Sequence, residues 1–205
     1  MPTREEIWRS LYGAWRIARL DPQAMSWFDQ SAEGFWNSFA ALPLALVPYL
    51  LALFLSASGE TMAAVGGPVA YLLFQILDFV AGWLGFLLLM LPVTWALRLT
   101  ANYGPFVVAS NWASLLAMAL MLPSMLLLGG ATSENRGAVM IATAVGITLM
   151  FYSYLVARAA LRSSILVSIG VVMIELAVTL LVGEGVHRLA AALSPAAGQP
   201  LGVPQ

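Results

Sequence analysis

Residues 69–91 read VAYLLFQILDFVAGWLGFLLLML, one apolar run broken only by Gln75 and Asp78. At 1.5 Å per residue a helix of this length reaches about 35 Å, enough to cross a hydrocarbon core of about 30 Å. A carboxylate inside such a run costs on the order of 2.5–3.5 kcal/mol on insertion scales, so it is expected to face protein or water rather than lipid. Residues 165–182, ILVSIGVVMIELAVTLLV, repeat the pattern around Glu175.

Working outward, three more runs have the same character, giving expected spans at about 35–57, 69–91, 106–128, 138–159 and 164–182. Hydrophobic residues make up 61% of the chain and charged residues 9%, against about 25% charged in a typical soluble domain. The fold class is therefore an all-α integral membrane bundle of five transmembrane helices, preceded by one or two amphipathic interfacial helices. Residues 1–34 form the expected N-terminal interfacial region, 35–193 the bundle, and 194–205, rich in Pro, Ala, Gly and Gln, a disordered tail. The first long apolar run starts near Trp36, so the first span is expected to be retained rather than cleaved. Pro43 and Pro48 predict a bend in that span, and Pro68 opens the second. The second is expected to continue as helix past Pro92 to Arg98. Residues 129–137 read as a polar hairpin.

In the opening segment, residues 3–20, Ile7, Trp8, Leu11, Tyr12, Trp15 and Ala18 recur at helical spacing, with Glu5, Arg9 and Arg16 largely elsewhere. Such a helix either lies on the membrane surface, rings at headgroup depth, or packs on the protein's own loops. Asp21-Pro22 reads as a stop and restart, Asp21 serving as N-cap of a short second helix carrying Met25, Trp27 and Phe28. Residues 31–34 are expected to break it. Trp8, Arg9, Trp15, Arg16 and Trp27 are the candidate contacts for a membrane surface or partner.

Arg4, Arg9, Arg16, Arg19, Arg98, Arg158 and Arg162 fall on one side of a five-span chain, and only Arg136 and Arg188 on the other. The positive-inside rule then puts the N-terminus in the cytoplasm and the C-terminus on the far side of the membrane. A net charge of -1 and a pI of about 5.7 argue against a nucleic-acid partner, which would want a basic patch. The partners implied are the lipid bilayer and a protein partner or second copy within it.

Ala109, Ala113 and Ala117 in the third span, and Ala138, Ala142 and Gly146 in the fourth, repeat at the four-residue spacing that lets helix backbones approach closely. These two helices are expected to pack as an antiparallel pair. Asp78 lies about nine residues into its span and Glu175 about seven from the end of its own, so both carboxyls are expected roughly 10–14 Å below the outer interface. Three readings stay open for them. They meet, with Gln75 beside Asp78, and hold a shared proton for proton or cation passage. They are protonated and hydrogen-bonded to hydroxyls such as Thr143, Thr148 or Tyr152. Or they contact an arginine of a partner. His187, the single histidine, sits beside Glu184 and Arg188 and reads as a solvated surface residue. With no cysteine, no histidine cluster and no phosphate-cradling or serine-nucleophile motif, neither an enzyme nor a metal or other cofactor is expected.

Phe28-Asp29, Gly34-Phe35-Trp36, Ser38-Phe39, Ala109-Ser110-Asn111-Trp112 and the run Tyr154-Leu155-Val156-Ala157-Arg158-Ala159-Ala160-Leu161 carry a resemblance. With the five-span layout they resemble small bacterial inner-membrane proteins similar to the Yip (Ypt-interacting protein) family. The resemblance implies a cytoplasmic N-terminus, a compact five-span bundle and a non-enzymatic role as an interaction or organising protein, possible as an accessory subunit of a larger complex. In eukaryotic relatives that role runs through small-GTPase partners and membrane shaping. No stretch here matches a GTPase-contacting motif, so no binding residue is carried over.

Overall fold

The structure, a computed structural model, describes residues 1–129 and 136–193. Eight α-helices follow in order: α1 Arg4–Ala18, α2 Ala32–Ser38, α3 Ala41–Ser56, α4 Gly59–Ala64, α5 Pro68–Ala96, α6 Tyr103–Gly129, α7 Arg136–Leu161 and α8 Ile165–Leu193. Two short 3-10 turns, Ala24–Trp27 and Thr100–Asn102, join them, and no strand occurs among the described residues. Five helical segments are long and apolar enough to cross a membrane: α2 with α3, α5, α6, α7 and α8. The 129–137 hairpin lies mostly outside the described residues, as does the tail from Ser194.

Span limits are longer than expected, most of all in α8. It continues to Leu193, eleven residues past the expected end at 182, because Gly183, Glu184, Gly185, His187 and Arg188 interrupt hydropathy without interrupting the helix. Pro68 stands at the first helical turn of α5, where its missing N–H has no intrahelical partner to lose, and Pro92 lies within the same continuous helix.

In the first span Ser31-Ala32-Glu33-Gly34 is a helix start, not a break. The Ser31 hydroxyl accepts from the Gly34 amide at 3.1 Å as N-cap of α2. The interruption comes instead at Phe39–Ala40, between α2 and α3. Pro43 explains its place: the proline ring excludes the carbonyl four residues back, which is that of Phe39. The chain tightens there, Ala40 N–H donating to Asn37 and Leu42 N–H to Phe39, both at 3.1 Å. Pro48 sits inside α3 without ending it.

Helix α6 is central, packed by α1, α2, α3, α5 and α7. Phe106, Val107, Val108, Ala109, Asn111, Trp112 and Ala113 are accordingly all buried. Helix α8 lies between α5 and α7, and α3 meets α5 through a Tyr49–Phe79 ring contact of 5.0 Å. The N-terminal region belongs to the same core, since Ala14, Ile17, Ala24 and Phe28 pack into it.

Helix α1 docks on the bundle by a face other than its aromatic one. Its buried positions are Ser10, Gly13, Ala14 and Ile17, a small-residue face seated on the flanks of α6 and α7. The Tyr152 hydroxyl donates to the Ala14 carbonyl at 3.0 Å. Phe28 and Trp27 lie so close to Gly13 that a methyl group there would approach them to 3.0 Å. The other face carries Trp8 (73% exposed), Tyr12 and Trp15 outward.

The hairpin after α1 is closed by a small polar cluster. Arg16 pairs with Asp21 and lies over the Tyr12 and Trp27 rings, at 5.6 and 5.4 Å from their centroids. Those rings meet edge to face at 4.6 Å. Asp21 accepts from the Gln23 amide at 2.8 Å, an Asx-type turn in place of the expected helix cap. That amide, and then Arg16, hold the Asp21 carboxyl below the usual carboxylate range against some opposing desolvation. Gly34 makes a second tight approach, because a side chain there would overlap the Asp29 carbonyl oxygen. Replacing Gly34 with Ala is therefore expected to cost about 1–3 kcal/mol through forced backbone movement. A lower thermal unfolding midpoint in detergent is the readout, and an unchanged midpoint would contradict this packing.

Candidate functional site

The polar side chains of the long helices gather in two places. Helices α5 and α8 run antiparallel in contact. A methyl at Gly85 would lie 3.6 Å from Val178 Cγ1, and one at Gly183 would lie 3.7 Å from Asp78 Oδ1. The level of Asp78 is thus that of Gly183. Glu175 is eight residues earlier on α8, about 12 Å along the axis. The two carboxylates belong to neighbouring helices but do not meet. The expected match in depth failed because it rested on ending the last helix at 182.

Glu175 lines a cavity of about 120 Å³ between α5, α6, α7 and α8. Ser110, Ser114 and Ser153 face the same space, closed by Trp83, Phe86 and Phe106. Ser153 faces the cavity from α7 and Glu175 from α8. The volume is enough for several waters, and the lining offers them polar partners. The Phe86–Phe106 edge contact, 6.0 Å between centroids, bounds it where α5 approaches α6.

Asp78 lines a separate, more open cavity of about 480 Å³ between α5 and α8, capped by α4. Gln75 and Tyr71 join it from α5, Thr61 from α4, and His187 from α8. His187 is thus both exposed and turned toward the Asp78 site, where the sequence reading treated it as a solvated bystander. The signal was available: Gly183 and His187 are one helical turn apart on the face that meets α5.

None of the hydroxyls proposed from sequence reaches either carboxylate. Thr143 and Thr148 donate to the carbonyls four residues back in α7, those of Val139 and Ala144, and Tyr152 is engaged by Ala14. Among the described residues no group of three or more His, Cys, Asp or Glu is placed to hold a metal.

The small-residue stripes divide. Ala109, Ala113 and Ala138 are buried and Ala117 partly so, and α6 packs along α7. Gly146 is exposed with open space where a side chain would stand, so the stripe makes no close approach there. Among the surface candidates Trp8, Arg9 and Trp15 are exposed, while Arg16 and Trp27 are engaged in closing the hairpin.

The class defined is an all-helical bundle with five helices able to cross a membrane, polar cavities between them and an N-terminal helix clasped to its flank. No family model, curated protein or solved structure matches the chain.

The native chain lacks cysteine, which makes the helix pairing directly testable. Oxidation is expected to close a disulfide between Gly85→Cys and Val178→Cys, since a Cβ at Gly85 would lie in contact with the Val178 side chain. The pair Asp78→Cys with Glu175→Cys is expected to stay open. The reverse pattern would return the carboxylates to one shared site.

Proposed function

We propose that this is a non-enzymatic protein of a bacterial inner membrane that acts as an interaction or organising element, its N-terminal helix forming the working surface. The arginine-rich ends of the helices then lie in the cytoplasm and the end of α8 outside it. One observation carries the reading. Helix α1 is held by its small-residue face, which leaves Trp8, Arg9 and Trp15 presented outward from a fixed position. Trp36 and Trp95, 71% and 74% exposed, add rings outside the core. Aromatic and guanidinium groups of this kind suit headgroups and protein hot spots alike. The sequence resemblance to Yip-like proteins agrees with a non-enzymatic role.

The test is cross-linking in native membranes followed by mass spectrometry, comparing the chain with a Trp8→Ala, Arg9→Ala variant. Both residues are exposed, so stability is expected to change by no more than about 0.5 kcal/mol. Recovery of cross-linked partners is expected to fall steeply, since an anchor tryptophan contributes on the order of 2 kcal/mol, about thirty-fold in affinity. Undiminished recovery from the folded variant would remove the basis of this proposal.

Passage of protons or cations is a second reading, favoured by the cavity that Glu175 lines together with three serine hydroxyls. Glu175 and Asp78 would then act at separate points along the path rather than as one dyad. Under this reading Glu175→Gln abolishes flux in proteoliposomes and Asp78→Asn reduces it. Equal flux in both variants and the parent chain would dispose of it.

A further inference from the structure

We propose that the slot between α1, α6 and α7 binds an anionic phospholipid, one acyl chain lying in the slot and the phosphate meeting Arg19. The slot, about 500 Å³, is walled almost entirely by apolar groups, among them Leu116, Leu120, Leu149 and Phe151, and is closed on one side by Trp15 and Ala18 of α1. Trp15 also borders a neighbouring polar hollow of about 420 Å³ formed with Arg16, Arg19 and Asp21. A single indole therefore stands at the junction of an apolar and a charged compartment, as tryptophans do between acyl chains and headgroups.

The charge balance selects the headgroup. Arg16 and Arg19 against Asp21 leave one positive charge in the hollow, and Asp21 is already paired with Arg16. Among the described residues the Arg19 side chain makes no hydrogen bond or ion pair. Arg19 is the C-cap of α1, four residues beyond Trp15, and lines the polar hollow that Trp15 shares with the slot. Guanidinium recognises phosphate through paired N–H donors.

The slot's position selects the rest of the molecule. Its α6 and α7 residues lie well inside helices long and apolar enough to cross a membrane, and Leu120 and Phe151 are exposed at its edge. In a bilayer an acyl chain reaches such an opening. A helix from a second copy could fill the apolar part but would leave Arg19 unmatched. This inference rests on the membrane placement of the bundle and is independent of any protein partner for α1.

The experiment is native mass spectrometry of the full chain, purified in mild detergent and given phosphatidylglycerol and phosphatidylcholine with identical acyl chains. One phosphatidylglycerol per chain is expected, preferred about five-fold, the equivalent of about 1 kcal/mol per basic residue at an anionic surface. Arg19→Gln is expected to abolish the preference while lipid is still retained. Leu120→Trp, which fills the slot, is expected to lose both lipids. Equal binding of the two lipids by the parent chain, or a preference surviving Arg19→Gln, overturns the site. So does a lipid-free dimer that Leu120→Trp dissociates. Arg19 is exposed and outside the core, so its variant decides the question even if Leu120→Trp folds poorly. Extraction of the chain from membranes by alkali without detergent would instead overturn the membrane placement.

Discussion

A buried hydrogen bond joins the N-terminal part of the molecule to its centre. Asn111 on α6 donates to the Ser38 hydroxyl at 2.9 Å, and Ser38 donates to the Phe35 carbonyl at 2.7 Å. One residue away Asn37 donates to the Glu6 carboxylate at 3.0 Å, bringing α1 into the same junction. Between helices in lipid there is little hydrophobic gain to drive association, so close packing and interhelical hydrogen bonds carry more of it. The short α2 can therefore be held against α6 before the chain enters α3, and the break forced by Pro43 falls where that hold ends.

Such a junction explains why the first half of α6 is largely buried while the first part of α7 is open on most sides. Helices α1, α2 and α3 crowd one flank of α6, and α7 takes another. Beyond Phe151, toward its start, α7 keeps only a narrow contact with α6, and Met140, Ile147 and Phe151 face outward. The two cavities follow from the same unevenness: one lies where four helices converge, the other where α5 and α8 continue together with α4 over them.

The five long helices were legible because apolar runs of membrane-spanning length leave few alternatives. Their ends were less so, since hydropathy falls at Gly183, Glu184 and His187 while backbone hydrogen bonding continues. That one misplaced end brought Asp78 and Glu175 together on paper and set His187 aside. The docking face of α1 went unread for a related reason. Periodicity marks the bulky stripe of Trp8, Tyr12 and Trp15, but Ser10, Gly13 and Ala14 are what let a helix sit closely against two others. Small residues carry little hydrophobic signal and much steric permission. The serines around Glu175 were visible as polar positions, yet their convergence depends on four helices whose order around the bundle no local pattern records.

The seat of α1 also has a timetable. Ala14 and Tyr152, joined by a hydrogen bond, are 138 residues apart in the chain. At synthesis rates of about 5–20 residues per second, roughly 7–28 seconds separate their appearance. Throughout that interval the first helix made has no flank of α7 to rest on. The earliest segment of the protein is thus fully seated only after the fourth long helix is made, and until then the chain carries an arginine- and tryptophan-bearing arm that lacks one of its two supports.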